Sequence, residues 1–537
     1  MRRTAVLMVA GMFVATACAA EADVTAERAD PISSPVTEAT DSTSDDAVVA
    51  TTDAGQADES ATTPAPGSVD EPTASTSTEV TTARDVRGTQ LAETGLADRL
   101  FPDLGAPAVD VVSYLVKLDI DVDAGSFDAV VDVIADVDIS VRQMSLDAAG
   151  FTVDSVQIDG DDAPFQQPGN ELIIELPADS GRRVNATITY SAAPDEAFSA
   201  VGLPAGWFQT DGGSYVLNEP DGARRWLPSN DHPSDKATWR FEITVPDGVT
   251  VSANGGLVQE GQLGEPWIWQ MSEEMPTYLV HLVVGAYDVV DGGVLTSVDG
   301  DDIDLTHLVP AGEQAAFQRF IDETPKQFDF FEERFGPYPL DDYGLAFVDS
   351  IPGLAMETQG RSLFSQFDFQ AFGLGGDGAQ INFLQHLLLA HELAHQWFGN
   401  AVSPATWSDI WLNESFATYA QFLWLDEIGL IDLDTEMSQL LLARQTGDVA
   451  TGTPTLESMF GFESYDGGSV VVHALRLKVG DDAFFRLLAE WIGMNTGTSQ
   501  SSDAFISLAQ DLTGADLGEF FTTWLYATSL PEAFPQG

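Results

Sequence analysis

The residues with the most chemistry in their spacing are His391-Glu392-Leu393-Ala394-His395, inside a helical apolar pattern that runs from Leu384 to Phe398. Histidines at i and i+4 share one helical face, so both imidazoles can reach a single metal ion, and the glutamate beside them can reach that ion's water. A zinc that hydrolyses needs a third protein ligand and an open fourth position. Glu414 is the candidate: eighteen residues separate it from His395. It lies in Trp411-Leu412-Asn413-Glu414-Ser415-Phe416-Ala417-Thr418-Tyr419, where Leu412, Phe416, Tyr419 and Leu423 make an apolar stripe. The stripe predicts a second helix packed beside the first, with Gly399-Asn400 and Ser403-Pro404 turning the chain between them. An arbitrary glutamate usually sits on a solvated helix face, but this spacing favours the ligand. The chemistry expected is metal-assisted hydrolysis with Glu392 as general base.

The other histidines, His232, His281, His307, His386 and His473, have no ligand spacing to one another and are read as structural. His386 shares the first helix, but its offset of five residues turns it about 140° away from His391. Asp409 is expected to cap the second helix, with orientation of a ligand histidine as the alternative. The glycines between Gly373 and Gly378 lack the strand and lysine of a phosphate cradle and read as a connection.

Two kinds of element must position these groups. Val116, Leu118, Ile120 and Val122 alternate with polar residues, and after Asp123-Ala124-Gly125-Ser126 the run Val131, Val133, Ala135, Val137 and Ile139 does the same. That is a β-hairpin. Further strands are expected at 171–176, 184–190, 241–245 and 278–284, which makes residues 105–295 a β-rich domain. Beyond it, Phe317, Phe320, Ile321, Thr324, Phe328 and Phe331 recur at helical spacing, a strand is expected at 345–348, and helices dominate to the end, so 296–537 reads as a mainly helical domain.

Composition limits the partners. The 537 residues hold 22 Lys+Arg against 85 Asp+Glu, a formal net charge of −63, which excludes nucleic acid as a principal partner. Cys18, the single cysteine, removes any intramolecular disulfide framework and any thiolate zinc site. It closes a segment, residues 1–18, with Arg2-Arg3 followed by an apolar run, which reads as an export signal. Residues 19–90, rich in Thr, Ser, Asp and Glu, cannot bury enough apolar surface to fold and are expected to form a tether.

Together these features resemble a known family, the M1 zinc aminopeptidases of the gluzincin class, whose pattern is HExxH, eighteen residues, then Glu. The resemblance extends to Asn218-Glu219-Pro220-Asp221-Gly222-Ala223-Arg224, Asp231-His232-Pro233, Lys236-Ala237-Thr238 and Ala253-Asn254-Gly255. It implies an α+β multidomain fold, a β-rich N-terminal domain followed by a thermolysin-like, mainly helical zinc peptidase domain, without the large C-terminal helical domain of bigger members. It implies one zinc ion per chain on His391, His395 and Glu414, with Glu392 as base. Leu354-Ala355-Met356-Glu357-Thr358 matches the family segment whose strand edge, here Ala355 and Met356, holds the peptide and whose glutamate, Glu357, binds the free α-amine. Leu354 and Thr358 depart from the family's Gly and Asn. Glu219 matches a second amine-facing position, and Tyr465 the tyrosine that stabilises the oxyanion, although Gly467 replaces the usual Lys or Arg two residues on. The small residues before Cys18 resemble a bacterial lipobox, which implies an exported, lipid-anchored envelope protein, with simple secretion as the alternative. Peptides with a free N-terminus are the implied substrates, the lipid is the only implied membrane contact, and a monomer is expected. A non-catalytic binding protein on a peptidase scaffold, or a related metallohydrolase with a non-peptide substrate, are the competing readings.

Overall fold

A computed structural model of the chain describes residues 87–193, 197–370, 381–445 and 447–536. The export signal, Cys18 and all but the last residues of the expected tether fall outside them, as does the stretch Gly373 to Gly378. Packing begins earlier than residue 105. Arg87 is buried, its Nε donating to Ser180 Oγ at 2.7 Å and its Nη1 to the Asp138 carbonyl at 3.0 Å.

The β-rich domain is built on an eight-stranded sheet in the order Gly256–Gln259, Trp267–Met275, Ala237–Thr244, Val109–Asp121, Ser126–Val137, Arg183–Ala192, Thr152–Ile158, Asp161–Asp162. The expected hairpin is at its centre, with Val109 opposite Val137 and Asp121 opposite Ser126. Its period-two pattern has the physical meaning expected of it: Val131, Val133, Ala135 and Val137 are fully buried, and their polar neighbours face outward. A five-stranded sheet, Thr250–Ala253, Leu282–Gly285, Gly213–Leu217, Pro204–Thr210 and Ala197–Phe198, covers one side of the core. The strand expected over 278–284 is shorter than the sequence suggests. Thr277–Leu279 forms a 3-10 turn instead, because Tyr278 points across to the helical half, where its hydroxyl donates to the Gly399 carbonyl at 3.0 Å.

The boundary drawn at 295 also moves. Tyr287–Thr296 pairs with Asp302–Pro310, and the latter runs parallel to Leu345–Val348, so this hairpin opens the six-stranded sheet of the second domain. The division lies near residue 286. That sheet continues through Ser362–Ser365 to Ala355–Met356, its outermost strand.

The longer helices are α1 (Gln314–Ile321), α2 (Thr324–Phe335), α3 (Phe383–Ala394), α4 (Trp411–Glu427), α5 (Leu433–Arg444), α6 (Asp466–Val479), α7 (Asp481–Asn495), α8 (Ser502–Thr513) and α9 (Gly518–Trp524). The phenylalanine pattern read as one helix is two, α1 and α2, broken at Asp322-Glu323 with Pro325 in the first turn of α2. Helix α4 is not the amphipathic element its stripe suggested. Every residue from Trp411 to Leu425 is buried, because α4 runs through the middle of the domain between α3 and α6. Among the described residues no helix is long and apolar enough to cross a membrane.

Candidate metal centre and active site

Helix α3 starts from a capping box, in which Asn382 Oδ1 accepts from Gln385 N at 3.0 Å and Gln385 Oε1 accepts from Asn382 N at 3.2 Å. It ends one residue before His395, which takes the C-cap, and Gly399 with φ of +119° turns the chain away. The two imidazoles meet: His391 Nε2 and His395 Nε2 are 3.0 Å apart, and Glu414 Oε2, from the first turn of α4, lies 3.4 Å from each.

Hydrogen bonding decides what these atoms can be. His395 Nδ1 lies 3.0 Å from the Phe398 carbonyl, which can only accept, so in the neutral imidazole, the form that ligates a metal, the proton is on Nδ1 and Nε2 carries the lone pair. His391 Nδ1 likewise faces Gln421 Oε1 at 2.9 Å. Two lone pairs and a carboxylate oxygen therefore converge, and Glu414 Oε2 accepts no hydrogen bond. Three acceptors without a donor need a cation. Tetrahedral zinc with bonds of about 2.0–2.1 Å places its ligand atoms roughly 3.3 Å apart, close to the observed spacings, and two imidazoles with one carboxylate are a donor set it takes.

The surroundings argue the same way. Burial, then the neighbouring Glu357 and Glu414 carboxylates, push Glu392 well above its ordinary range, against the pull of His395. Burial and Glu357 do the same to Glu219, and burial raises Glu357. Burial opposes charge on His395, yet the Glu357 and Glu414 carboxylates outweigh it and favour positive charge at that position, the charge a metal ion would bring, while Glu414, also disfavoured by burial, is held in its ionised form by His395 and His391. This cavity of acids demands positive charge near His395.

The remaining groups identified in the sequence line the same cavity, of about 310 Å³. Glu357 is 3% exposed, and its Oε1 has no partner. Its carboxylate, that of Glu392 and His395 have ligand atoms within 4.8 Å of one another, as do Glu219, Glu357 and Glu414. Ala355 and Met356 line the cavity from the sheet's outermost strand. The Tyr465 ring lies parallel to His391, with centroids 6.0 Å apart and planes 12° apart, and it lines the cavity together with Glu414. Burial and Glu414 hold that phenol well above its usual range, so it stays a donor.

Two of the three departures, Thr358 and Gly467, have local explanations. Thr358 Oγ1 donates to the Arg361 carbonyl and faces His281 Nδ1 at 3.3 Å, fastening the turn after Glu357. At Gly467 an added Cβ would stand 2.8 Å from Arg444 Cδ, so the space belongs to the buried Arg444, whose guanidinium donates to the Thr528 and Val449 carbonyls. The next glycine brings α6 against α4, since a Cβ on Gly468 would stand 1.8 Å from Ser415 Oγ. Asp409 neither caps α4 nor reaches a ligand; its Oδ1 accepts from Ser502 N and Oγ at 2.9 and 2.6 Å.

Several positioning residues escaped the sequence. Gln421, one of them, sits seven residues after Glu414 on the same face of α4 and is the polar partner that a ligating histidine normally has, which is a findable signal. Asn400 Nδ2 donates to the Glu357 carbonyl at 2.6 Å and Gln396 Nε2 at 3.2 Å. Lys236, from the β-rich domain, donates to the Asn400 and Ala401 carbonyls at 2.9 and 3.1 Å, tying that domain to the turn that leaves α3. Nothing in the local sequence marks Lys236 for this.

Comparison with known proteins locates the whole arrangement. The Peptidase M1 N-terminal domain model matches residues 111–279 and the Peptidase family M1 domain model residues 320–524. Aminopeptidase M1-D of Oryza sativa subsp. japonica is 29% identical over 331 residues, 58% of this chain and 36% of its own. Probable aminopeptidase 1 of Saccharolobus solfataricus is 26% identical over 417 residues, 73% of this chain and 50% of its own. The chain thus spans between a third and a half of the length of these curated relatives. A mutant M1 zinc metallopeptidase from Deinococcus radiodurans, bound to a Tyr-Ser-Ala substrate, superposes with a TM-score of 0.73 at 28% identity, covering 82% of this chain and 100% of that one.

Proposed function

We propose that this chain, which belongs to the M1 family of zinc metallopeptidases, is an aminopeptidase that removes residues singly from the free N-terminus of peptides. The observation that carries the reading is one cavity in which a donor-free triad of two imidazoles and a carboxylate adjoins a base and two further carboxylates.

His391, His395 and Glu414 would hold the zinc, which when bound supplies Lewis acidity toward the scissile carbonyl and acidifies water. Glu392, beside His395, takes the proton of the attacking water and delivers it to the leaving nitrogen. Tyr465, held protonated, donates to the oxygen on which negative charge develops, a contribution of about 2.7–4 kcal/mol in comparable sites. The open edge of Ala355–Met356 offers backbone groups to an extended peptide. Glu357 and Glu219 accept from the α-ammonium; Glu357 Oε1, buried without a partner, has the vacancy for it. An N-blocked peptide would leave these carboxylates buried and unpaired, and the site rejects it for that reason.

A fluorescent peptide with a free N-terminus and its N-acetyl twin test this. The free peptide is expected to react roughly a hundredfold faster, a ratio that collapses in Glu357→Gln. Equal cleavage of the two by the wild type would mark an endopeptidase instead. The segment ending at Cys18 supports export with lipidation at that cysteine. The protein is then expected in the detergent phase on partition, Cys18→Ala in the aqueous phase, and no difference between them rejects the anchor.

A further inference from the structure

The charge inventory of the cavity goes further than its catalytic groups. Six carboxylates line it: Glu219, Glu357, Glu392, Glu414, Glu457 and Asp466. Among the described residues no Lys or Arg does. The two lining histidines have their Nε2 atoms turned to the metal position. The neighbouring arginines are committed elsewhere. Arg444 is tied to the Thr528 and Val449 carbonyls, and Arg361 donates to the Thr306 and Ala253 carbonyls and lies over the Trp269 ring. A single divalent ion among six carboxyl groups leaves the lining acidic, with no protein cation to pair with a further acid. The rest of the lining near Glu219 and Glu357 is apolar, with Leu217, Met356, Leu456 and Phe460 drawing on one continuous core.

We propose, resting on the aminopeptidase reading, that this cleft selects substrates by excluding carboxylates. It takes peptides whose N-terminal side chain is neutral or basic and whose own C-terminal carboxylate lies beyond the cavity. Peptides that begin with Asp or Glu, and free dipeptides, are poor substrates. A carboxylate in the first or second residue would enter a low-dielectric space already negative and find no cation to pair with, whereas an ammonium or apolar side chain meets no such cost. The amine-binding carboxylates alone do not produce this selectivity, since a positive side chain elsewhere in the cleft could accept the acid.

The test uses the zinc-loaded full chain and matched pairs: Leu-Gly against Leu-Gly-amide, and Glu-Ala-Ala-amide against Gln-Ala-Ala-amide, each at 20 mM and 1 M NaCl. The neutral member of each pair is expected to have a kcat/KM roughly tenfold to a hundredfold higher, and the gap to narrow in high salt. Glu457, exposed at the rim, gives a second handle. Glu457→Lys is expected to shrink the acid-to-amide gap severalfold by supplying the missing cation. Equal kcat/KM within both pairs at low salt overturns the proposal. Failure to cleave even Leu-Gly-amide and Gln-Ala-Ala-amide overturns the aminopeptidase reading beneath it, and the two failures are told apart by those amides.

Discussion

Two groups of buried carboxylates lie in this molecule, and they differ in what their oxygens meet. In the β-rich domain, Asp147 Oδ2 accepts from the backbone of Gly105 and Asp231 at 3.0 and 2.9 Å. Asp231 accepts from Arg224 N at 3.0 Å and Thr277 Oγ1 at 2.5 Å, and Asp235 from Val111 N at 3.2 Å and Asn230 Nδ2 at 2.5 Å. These acids are braces between segments, with only Asp147 Oδ1 and the neighbouring Asp221 Oδ1 left open. In the cavity beside α3 and α4, Glu219 Oε1, Glu357 Oε1 and Glu414 Oε2 all lack partners, and they face one space. An unmet buried acceptor costs about 1–3 kcal/mol. Where the cost is met internally the acid serves the fold; where three such costs converge, the structure is built for a ligand that meets them.

That contrast can be broken at either cluster. On the catalytic side, Gln421→Leu removes the group that fixes the His391 tautomer while leaving all three ligands. Zinc affinity is expected to fall roughly 10- to 100-fold, measured by competition with a chromogenic chelator, and unchanged affinity would show that Gln421 positions nothing. On the structural side the effect is smaller and depends on pH. Burial, then Glu171, push Asp147 from its ordinary value up to about 7. The folded state thus holds this proton more tightly than the unfolded one, and the stability it confers, complete below the unfolded pKa, is lost as pH rises through about 7. Asn at this position carries no such loss. The melting temperature of Asp147→Asn relative to wild type is therefore expected to climb by a few degrees, about 2–4 °C, between pH 5 and pH 8, and a difference that stays flat would contradict the assignment.

The convergence of the candidate site residues was legible in the sequence because it is written in local spacing. His391, Glu392 and His395 share one helical turn, and Glu414 opens the next helix, so helical geometry alone brings them near one another. The central hairpin was legible for the same reason, since its period of two maps directly onto burial. What stayed hidden depends on contacts between distant segments. Tyr278 breaks its strand to reach Gly399, and Lys236 crosses from the β-rich domain to Asn400 and Ala401. The boundary at 295 was misplaced because Tyr287–Thr296 has the same strand composition whichever sheet it joins; only its pairing with Asp302–Pro310 assigns it. Asp409 looked like a cap from its position before α4, but Ser502, far along the chain, takes its Oδ1 and Thr406 its Oδ2.

The central claim is that His391, His395 and Glu414 hold the ion while Glu392 moves the proton. It is tested most directly by measuring zinc content and turnover of an aminoacyl-arylamide on the same preparations of wild type and Glu392→Gln. The account predicts about one zinc per chain in both, with turnover in the variant lower by roughly 10²–10⁴-fold. Substantial turnover by zinc-loaded Glu392→Gln, or a wild type that is active with its zinc stripped away, would contradict it.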